Sequence, residues 1–285
     1  MHNLKLTGVD PTEYFNAIVD AKTGDRGERL GKLKKRVAGH YAELEAAFNS
    51  DDIANIPTNN WKSVPKADLL HCYESTSSAL QQLKRLITAK QRDGVRGVCP
   101  YCGNGAPRQF DHYLPKAKFP EFSVHAYNLV PCCGTCNGIK SETWLNGAAR
   151  SFINFYIDSL PTSPMVKPTV TWHTKGKLII PAVSYDLVRP ARFNRSKFAL
   201  IETHFEQLGL LERYKDDTHT EFIALRDTAI GRGAGTTKTL RRFLEDTITQ
   251  RENTLGPLSW KNALHRELTR YTPFLESCLK KGKKT

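Results

Sequence analysis

The spacing of hydrophobic residues predicts helices near both ends of the chain. In the first third, apolar residues recur at intervals of three and four, which places them on one face of a helix. Two stripes of this kind are Leu30, Leu33, Val37, Tyr41, Leu44, Phe48 and then Leu69, Tyr73, Thr76, Leu80, Leu83, Ile87. Asp10-Pro11 adds a helix start, since aspartate caps helices and proline suits the first turn. Residues 1–95 are therefore predicted to form a helical region.

Residues 151–285 are also predicted to be mostly helical, with one short hairpin. Lys175-Gly176-Lys177 separates the strand-like runs 169–173 and 178–180. Further helical stripes follow at Phe198, Ile201, Phe205, Leu208 and at Trp260, Leu264, Leu268, Tyr271. Stripes of this kind usually face a core. The lysine-rich tail, residues 280–284, is expected to be disordered.

Residues 96–150 have a different pattern. Short apolar segments are broken by cysteine, glycine, proline and histidine, and no helical period is visible until after Cys136. The sequence thus predicts an α+β protein that is mostly α, in which two helical regions flank a compact central domain.

Composition supports a folded protein that favours polyanions. The chain has 285 residues, of which 39% are hydrophobic and 25% charged, so a disordered or fibrous class is excluded. Lysine and arginine outnumber aspartate and glutamate by 42 to 29, which gives a net charge of +13. Nucleic acid is the natural partner of such a chain, although a solvated basic surface or an acidic membrane would also fit.

The sequence predicts a cytoplasmic protein with no membrane contact. No apolar run approaches the roughly 18 residues that span a bilayer, and the start of the sequence lacks the apolar core of a signal peptide. In a reducing compartment, paired cysteines favour metal binding over disulfides.

Four of the seven cysteines form two Cys-x-x-Cys pairs, Cys99 with Cys102 and Cys133 with Cys136. Tetrahedral zinc needs four such donors, and a site closed by four thiolates is structural. Cys72 and Cys278 fit buried thiols on helices, and Cys132 stays unassigned. Buried free thiols are the plainer alternative, and a zinc-dependent binding module without catalysis is a second.

The central domain resembles a known nuclease family. The motifs that carry the resemblance are Cys99-x-x-Cys102, Phe110-Asp111-His112-Tyr113-Leu114-Pro115-Lys116, Tyr127-Asn128-Leu129-Val130-Pro131 and Cys133-x-x-Cys136-Asn137-x-x-Lys140-Ser141. Their order and spacing are similar to those of the zinc-braced HNH endonucleases. The resemblance covers about residues 98–145 and implies a ββα-metal finger, with the zinc as a clamp. The run from Asp111 to Lys116 also resembles the HNH subunit of Septu-type anti-phage defence systems.

The residue types suit phosphodiester hydrolysis. His112, with an ordinary pKa near 6.5, is the candidate general base. Asp111 and Asn137 offer hard oxygen ligands for Mg²⁺ or Mn²⁺. By the resemblance, Asn128 orients His112 and bridges the loop, and Lys140 on the following helix is a candidate phosphate contact. His125 is placed on the second strand and given a structural role.

The sequence therefore predicts a metal-dependent endonuclease that cleaves DNA, with an anti-phage effector as the narrower expectation. Three alternatives stay open. The domain could bind nucleic acid without cutting it, RNA could be the substrate, or the chain could be silent until a partner ATPase or sensor releases it.

Overall fold

The computed structural model describes residues 1–5, 8, 10–74, 77–175, 178–232 and 235–282. The chain separates into two compact units. The N-terminal unit is Asn3–Ser159, and the C-terminal unit is Leu160–Thr285 together with Met1–His2. The sequence-based boundaries at 95/96 and 150/151 differ from this division, because the central domain belongs to the same unit as the helices before it.

The N-terminal unit is mainly helical, with two small antiparallel sheets. Its elements are α1 (Pro11–Asp20), α2 (Gly24–Asn49), α3 (Ser63–Glu74), α4 (Ser78–Ala89), α5 (Asp93–Arg96), β1 (Gln109–His112), β2 (Leu129–Cys132), α6 (Gly134–Lys140), β3 (Leu145–Asn146) and β4 (Ala149–Arg150). β1 pairs with β2, and β3 pairs with β4.

The helical patterns are confirmed, with one correction. The Asp10 carboxylate accepts from the Thr12 amide at 2.7 Å and caps α1, and α2 contains the first apolar stripe. The second stripe does not form one helix, because it belongs to α3 and α4. Ser77 caps α4 by accepting from the Leu80 amide, an N–H that a continuous helix would pair with residue 76. Thr76 itself lies outside the described residues.

A shared core explains why the central domain is not separate. Leu83 and Ile87 of α4 pack with Ala126 and Leu129, and all four side chains are fully buried. Leu129 begins β2, so the strand pair rests directly on α4. Burying a large aliphatic side chain contributes roughly 1.5–3 kcal/mol, which makes the contact a substantial part of the unit's stability.

The C-terminal unit contains the predicted hairpin and five helices among its described residues. Its elements are β5 (Val166–Lys175), β6 (Leu178–Leu187), α7 (Arg195–Gln207), α8 (Leu210–Gly231), α9 (Thr237–Leu255), α10 (Trp260–Thr269) and α11 (Thr272–Gly282). The hairpin is longer than predicted, and its tip, Gly176-Lys177, lies outside the described residues, as do Lys283 and Lys284 of the tail.

Aromatic packing joins the hairpin to the helices of the C-terminal unit. Tyr214 of α8 stacks on Trp260 of α10 with ring centroids 4.7 Å apart, and Tyr185 of β6 meets the Trp260 ring edge-on.

The helices and small antiparallel sheets of the two units confirm the predicted α+β, mostly helical class. None of the described helices is both long and apolar enough to cross a membrane.

Candidate active site

A strand pair followed by a short helix brings the predicted site residues together. Asp111 and His112 end β1, Asn128 directly precedes β2, and Asn137 and Lys140 lie on α6. In the antiparallel register Asp111 faces Val130 and His112 faces Leu129 across the strands. His125 is not on a strand. It precedes a 3-10 turn, Ala126–Asn128, that leads into β2, and its buried ring packs against Tyr41.

The four paired cysteines form one buried cluster, and these sulfurs can hold a zinc ion. The ligand atoms of Cys99, Cys102, Cys133 and Cys136 all lie within 4.8 Å of one another. The Cys102 and Cys133 sulfurs lie 3.8 Å apart, and zinc binding would deprotonate the thiols that ligate it. Cys132 is buried but is not part of the cluster.

The Asp111 carboxylate faces inward, where it meets two partners. The Lys140 ammonium lies 3.1 Å from Oδ1 and 3.0 Å from Oδ2, and the Tyr101 hydroxyl donates to Oδ2 at 2.6 Å. Lys140 also donates to the His112 carbonyl at 2.9 Å and has no exposed surface. One carboxylate therefore joins the first cysteine pair, β1 and the end of α6.

Two sequence-based assignments, which stay predictions, disagree with this arrangement. Lys140 does not face phosphate, because its ammonium is buried against Asp111 and the His112 carbonyl. A metal held by Asp111 and Asn137 does not fit either, since the ammonium lies about 3 Å from both Asp111 oxygens. A dication on those oxygens would be strongly repelled by the ammonium in a medium of low dielectric constant.

The two asparagines have different surroundings. Asn137 is partly exposed and donates from Nδ2 to Oε1 of Gln109 at 2.8 Å. Asn128 is fully buried; its Oδ1 accepts from the Leu114 amide, and its Nδ2 donates to the carbonyls of Leu114 and Phe122. Asn128 thus bridges the loop between the strands, as the resemblance implies, without a hydrogen bond to the His112 ring.

The His112 ring is held by a loop carbonyl and by α3. Its Nε2 lies 2.9 Å from the Ser123 carbonyl oxygen, and the Ser123 hydroxyl donates in turn to the Leu69 carbonyl of α3. The Tyr73 ring meets the imidazole edge-on, with centroids 4.3 Å apart. Because a carbonyl only accepts, Nε2 carries the ring proton and Nδ1 keeps the lone pair.

The surroundings keep His112 neutral. Burial desolvates the ring and, together with the positive charges of Lys116, Lys140 and Lys84, lowers the pKa of His112 to about 3. The hydrogen bond to Ser123 acts against this shift but does not overcome it. The ring therefore stays unprotonated throughout the neutral range, with its Nδ1 lone pair free of a proton.

His112 lines an open cleft of about 1000 Å³ whose wall is strongly basic. The cleft is bounded by α3, α4, α5, β1, the beginning of the loop that follows β1, and α6. Its basic residues are Lys84, Arg85, Arg96, Arg108 and Lys116, and this group is the basic cleft referred to below. The acidic lining residues are Asp111, which is already paired, and Glu142.

Sequence reasoning missed Tyr101, Tyr73, Lys84 and Ser123. Tyr101 had a usable signal, since it lies inside the first Cys-x-x-Cys pair, directly beside the proposed metal site. Tyr73 and Lys84 belong to helices whose periodic pattern indicates only core and solvent faces. Ser123 acts through its backbone carbonyl, so its residue type carries no signal.

Comparison with known proteins gives one partial relative. No family model and no solved structure matches the chain. Protein ea31 of Escherichia phage lambda is 33% identical over 121 residues, which are 41% of this chain and 39% of that protein. The match spans about two fifths of the relative's length, and that protein's name states no activity.

The cysteine cluster predicts a stoichiometric zinc. Elemental analysis should find about one zinc per chain, and Cys99→Ser should lose both the zinc and thermal stability because three thiolates leave the site open. Cys72→Ser and Cys132→Ser are the matched controls, since both thiols are buried outside the cluster. A Cys99→Ser variant that keeps its zinc and its melting temperature would contradict this assignment.

The buried ion pair predicts an asymmetric response to mutation. Lys140→Met should lower the unfolding free energy by about 3–5 kcal/mol, because it leaves an uncompensated buried carboxylate. Asp111→Asn combined with Lys140→Met should recover part of that loss. Lys32→Met, at an exposed position of α2, is the control. Urea unfolding measures all four proteins, and a Lys140→Met variant as stable as the wild type would refute the pairing.

Proposed function

We propose that this chain is an HNH-type endonuclease that hydrolyses phosphodiester bonds in DNA, with His112 as the general base. The observation that carries the proposal is a neutral imidazole, held through Nε2, that lines a cleft walled by basic side chains. Hydrolysis near neutral pH needs a group that accepts a proton from water beside a site that attracts phosphate.

The proposed step uses residues already in place. The Nδ1 lone pair of His112 takes a proton from the attacking water, while Ser123 and Tyr73 hold the ring in one orientation. Lys84 and Lys116, whose charges act on the ring, provide positive potential for the phosphate and the charge that develops on it. The water oxygen forms a new bond to phosphorus, the P–O bond to the leaving sugar oxygen breaks, and that oxygen takes up a proton from solvent while the imidazolium returns its proton to solvent.

The order of strand, strand and helix around buried cysteines supports the HNH resemblance. That resemblance also predicts a need for Mg²⁺ or Mn²⁺, whereas the Lys140 pairing argues against Asp111 as a ligand. Metal titration of cleavage therefore remains a necessary measurement. An anti-phage role and a partner ATPase or sensor are further proposals that rest on the resemblance alone.

A non-catalytic nucleic-acid-binding module is the main rival. The basic cleft and the cysteine cluster would suit it equally well, and the position of His112 at the cleft is what favours the enzyme, since burial alone makes a histidine such as His125 neutral. An RNA-cleaving enzyme is the second rival, because contacts to a phosphate backbone do not distinguish RNA from DNA.

Replacing the base provides the direct test of the proposal. His112→Ala should reduce cleavage by a factor of about 10² to 10⁴, while the protein stays folded and keeps its zinc. His219→Ala, at an exposed position of α8, should cleave at the wild-type rate. The assay compares plasmid, single-stranded DNA and RNA with Mg²⁺, with Mn²⁺ and without added metal.

Each outcome of this assay distinguishes the proposed DNA nuclease from one of its alternatives. Wild-type cleavage by His112→Ala would exclude His112 as the base. Binding without cleavage under every condition would favour the binding module, and selective cleavage of RNA would replace the DNA assignment.

A further inference from the structure

We infer that the exposed face of α4, together with Arg108, binds the sugar-phosphate backbone of duplex DNA through charge and hydrogen bonds rather than through base stacking. The inference deepens the proposed function, since it assigns a substrate-binding wall to the same cleft. The residues that carry it are Gln81, Lys84, Arg85, Thr88 and Arg108, and of these only Arg108 falls within the motif-containing region.

The helix α4 has two distinct faces. Leu80, Leu83 and Ile87 are fully buried. The opposite face presents Gln81, Lys84, Arg85 and Thr88 to the cleft, at spacings of one helical turn. Gln81 to Thr88 spans about 10 Å at 1.5 Å per residue, which corresponds to roughly three phosphates along one strand of B-DNA.

Two arginines in this wall have no partner among the described residues. Arg85 and Arg108 are exposed, and neither side chain makes a hydrogen bond or ion pair within the described part of the chain. In contrast, Arg150 binds both Asp158 and Asp51, and Arg96 binds Asp93. Unpaired guanidinium groups that line one cleft are available for an external anion, and their fork of donors matches phosphate.

Two positive charges of the basic cleft, on Lys84 and Lys116, lie close together near His112. The Lys84 and Lys116 ammonium groups lie 4.2 Å and 5.2 Å from the centroid of the same Tyr73 ring. Burial and this neighbouring charge lower the pKa of Lys84. Within the described part of the chain, Lys116 forms one ion pair, with Glu74 at 3.6 Å. Like charges held together destabilise a fold, and a bound polyanion relieves that repulsion.

The aromatic rings of the cleft are half-buried and have a cationic neighbour. The Lys84 ammonium lies 4.2 Å from the centroid of the Tyr73 ring, and the His112 ring packs against the same tyrosine. The Phe110 ring also has Lys84 near its face, at 5.7 Å. Single-strand-binding proteins use open aromatic faces on which bases stack, so this wall favours backbone contacts to a duplex.

The test measures the salt dependence of binding in the non-cleaving His112→Ala protein, without a chelator that would remove zinc. A labelled duplex and a single strand of the same sequence are titrated between about 50 and 200 mM salt. Arg85→Ala with Arg108→Ala should weaken duplex binding on the order of tenfold or more and reduce the slope of log K against log salt by about 2.

The matched control removes the same charge elsewhere in the N-terminal unit. Lys32→Ala with Lys35→Ala, at exposed positions of α2, should leave the slope unchanged. An unchanged slope in the arginine variant, an equal loss in the lysine control, tighter binding to the single strand, or no binding would each overturn the inference.

Binding and cleavage can fail independently in this design. Arginine-dependent duplex binding by a protein whose wild type never cleaves would support the binding wall and contradict the proposed hydrolysis. If the wild type cleaves DNA but replacing both arginines leaves the salt dependence of binding unchanged, the proposed hydrolysis is supported. The inferred binding surface on α4 is then overturned.

Discussion

The buried contact between Lys140 and Asp111 fixes the geometry of the candidate site. It brings together three segments that lie apart in the sequence: Tyr101 from the first cysteine pair, Asp111 from β1 and Lys140 from α6. Burying two charges carries a desolvation penalty of several kcal/mol per ion, which only close and well-oriented partners offset. Lys140 also holds the His112 carbonyl, so the position of the candidate base depends on the same ammonium.

The properties of His112 follow from this packing and from the helices that precede it. The loop supplies the Ser123 carbonyl, α3 supplies Tyr73, and α4 supplies Lys84. Burial and the surrounding positive charge both oppose an imidazolium, which leaves a neutral ring beside a basic cleft. Lys84 and Lys116, which add to the effect of burial on the pKa of the ring, are the residues proposed to attract phosphate.

Local sequence patterns predicted individual helices and the cysteine cluster better than they predicted which side chains meet in the folded protein. The two cysteine pairs predicted a four-sulfur cluster because their spacing fits the coordination of zinc, and the stripes on α2 and α4 predicted which faces are buried. The inward direction of Lys140 was not predictable, since a lysine in the last turn of a helix is usually solvated. Its contacts with the Asp111 carboxylate and the His112 carbonyl stabilise it there. The sequence motif instead indicated that Asp111 binds a metal.

The contribution of α3 and α4 to the site was also invisible in the sequence. Their amphipathic pattern indicates a core face and a solvent face but does not show that the solvent face of α4 borders a cleft. The break between the two helices was hidden because the stripe keeps its spacing across Ser77, which caps the second helix. The core formed by Leu83, Ile87, Ala126 and Leu129 decides the arrangement, and it joins segments far apart in the chain.

The central claim is that His112 is a neutral base with its proton on Nε2. Nitrogen-15 NMR of the histidine rings, with the His112→Gln spectrum used for assignment, measures both the tautomer and the pKa. The structure predicts a neutral ring protonated at Nε2 from about pH 5 to 8, since the pKa of His112 is lowered to about 3. A ring that titrates near its ordinary value of about 6.5, or one with its proton on Nδ1, would contradict the account.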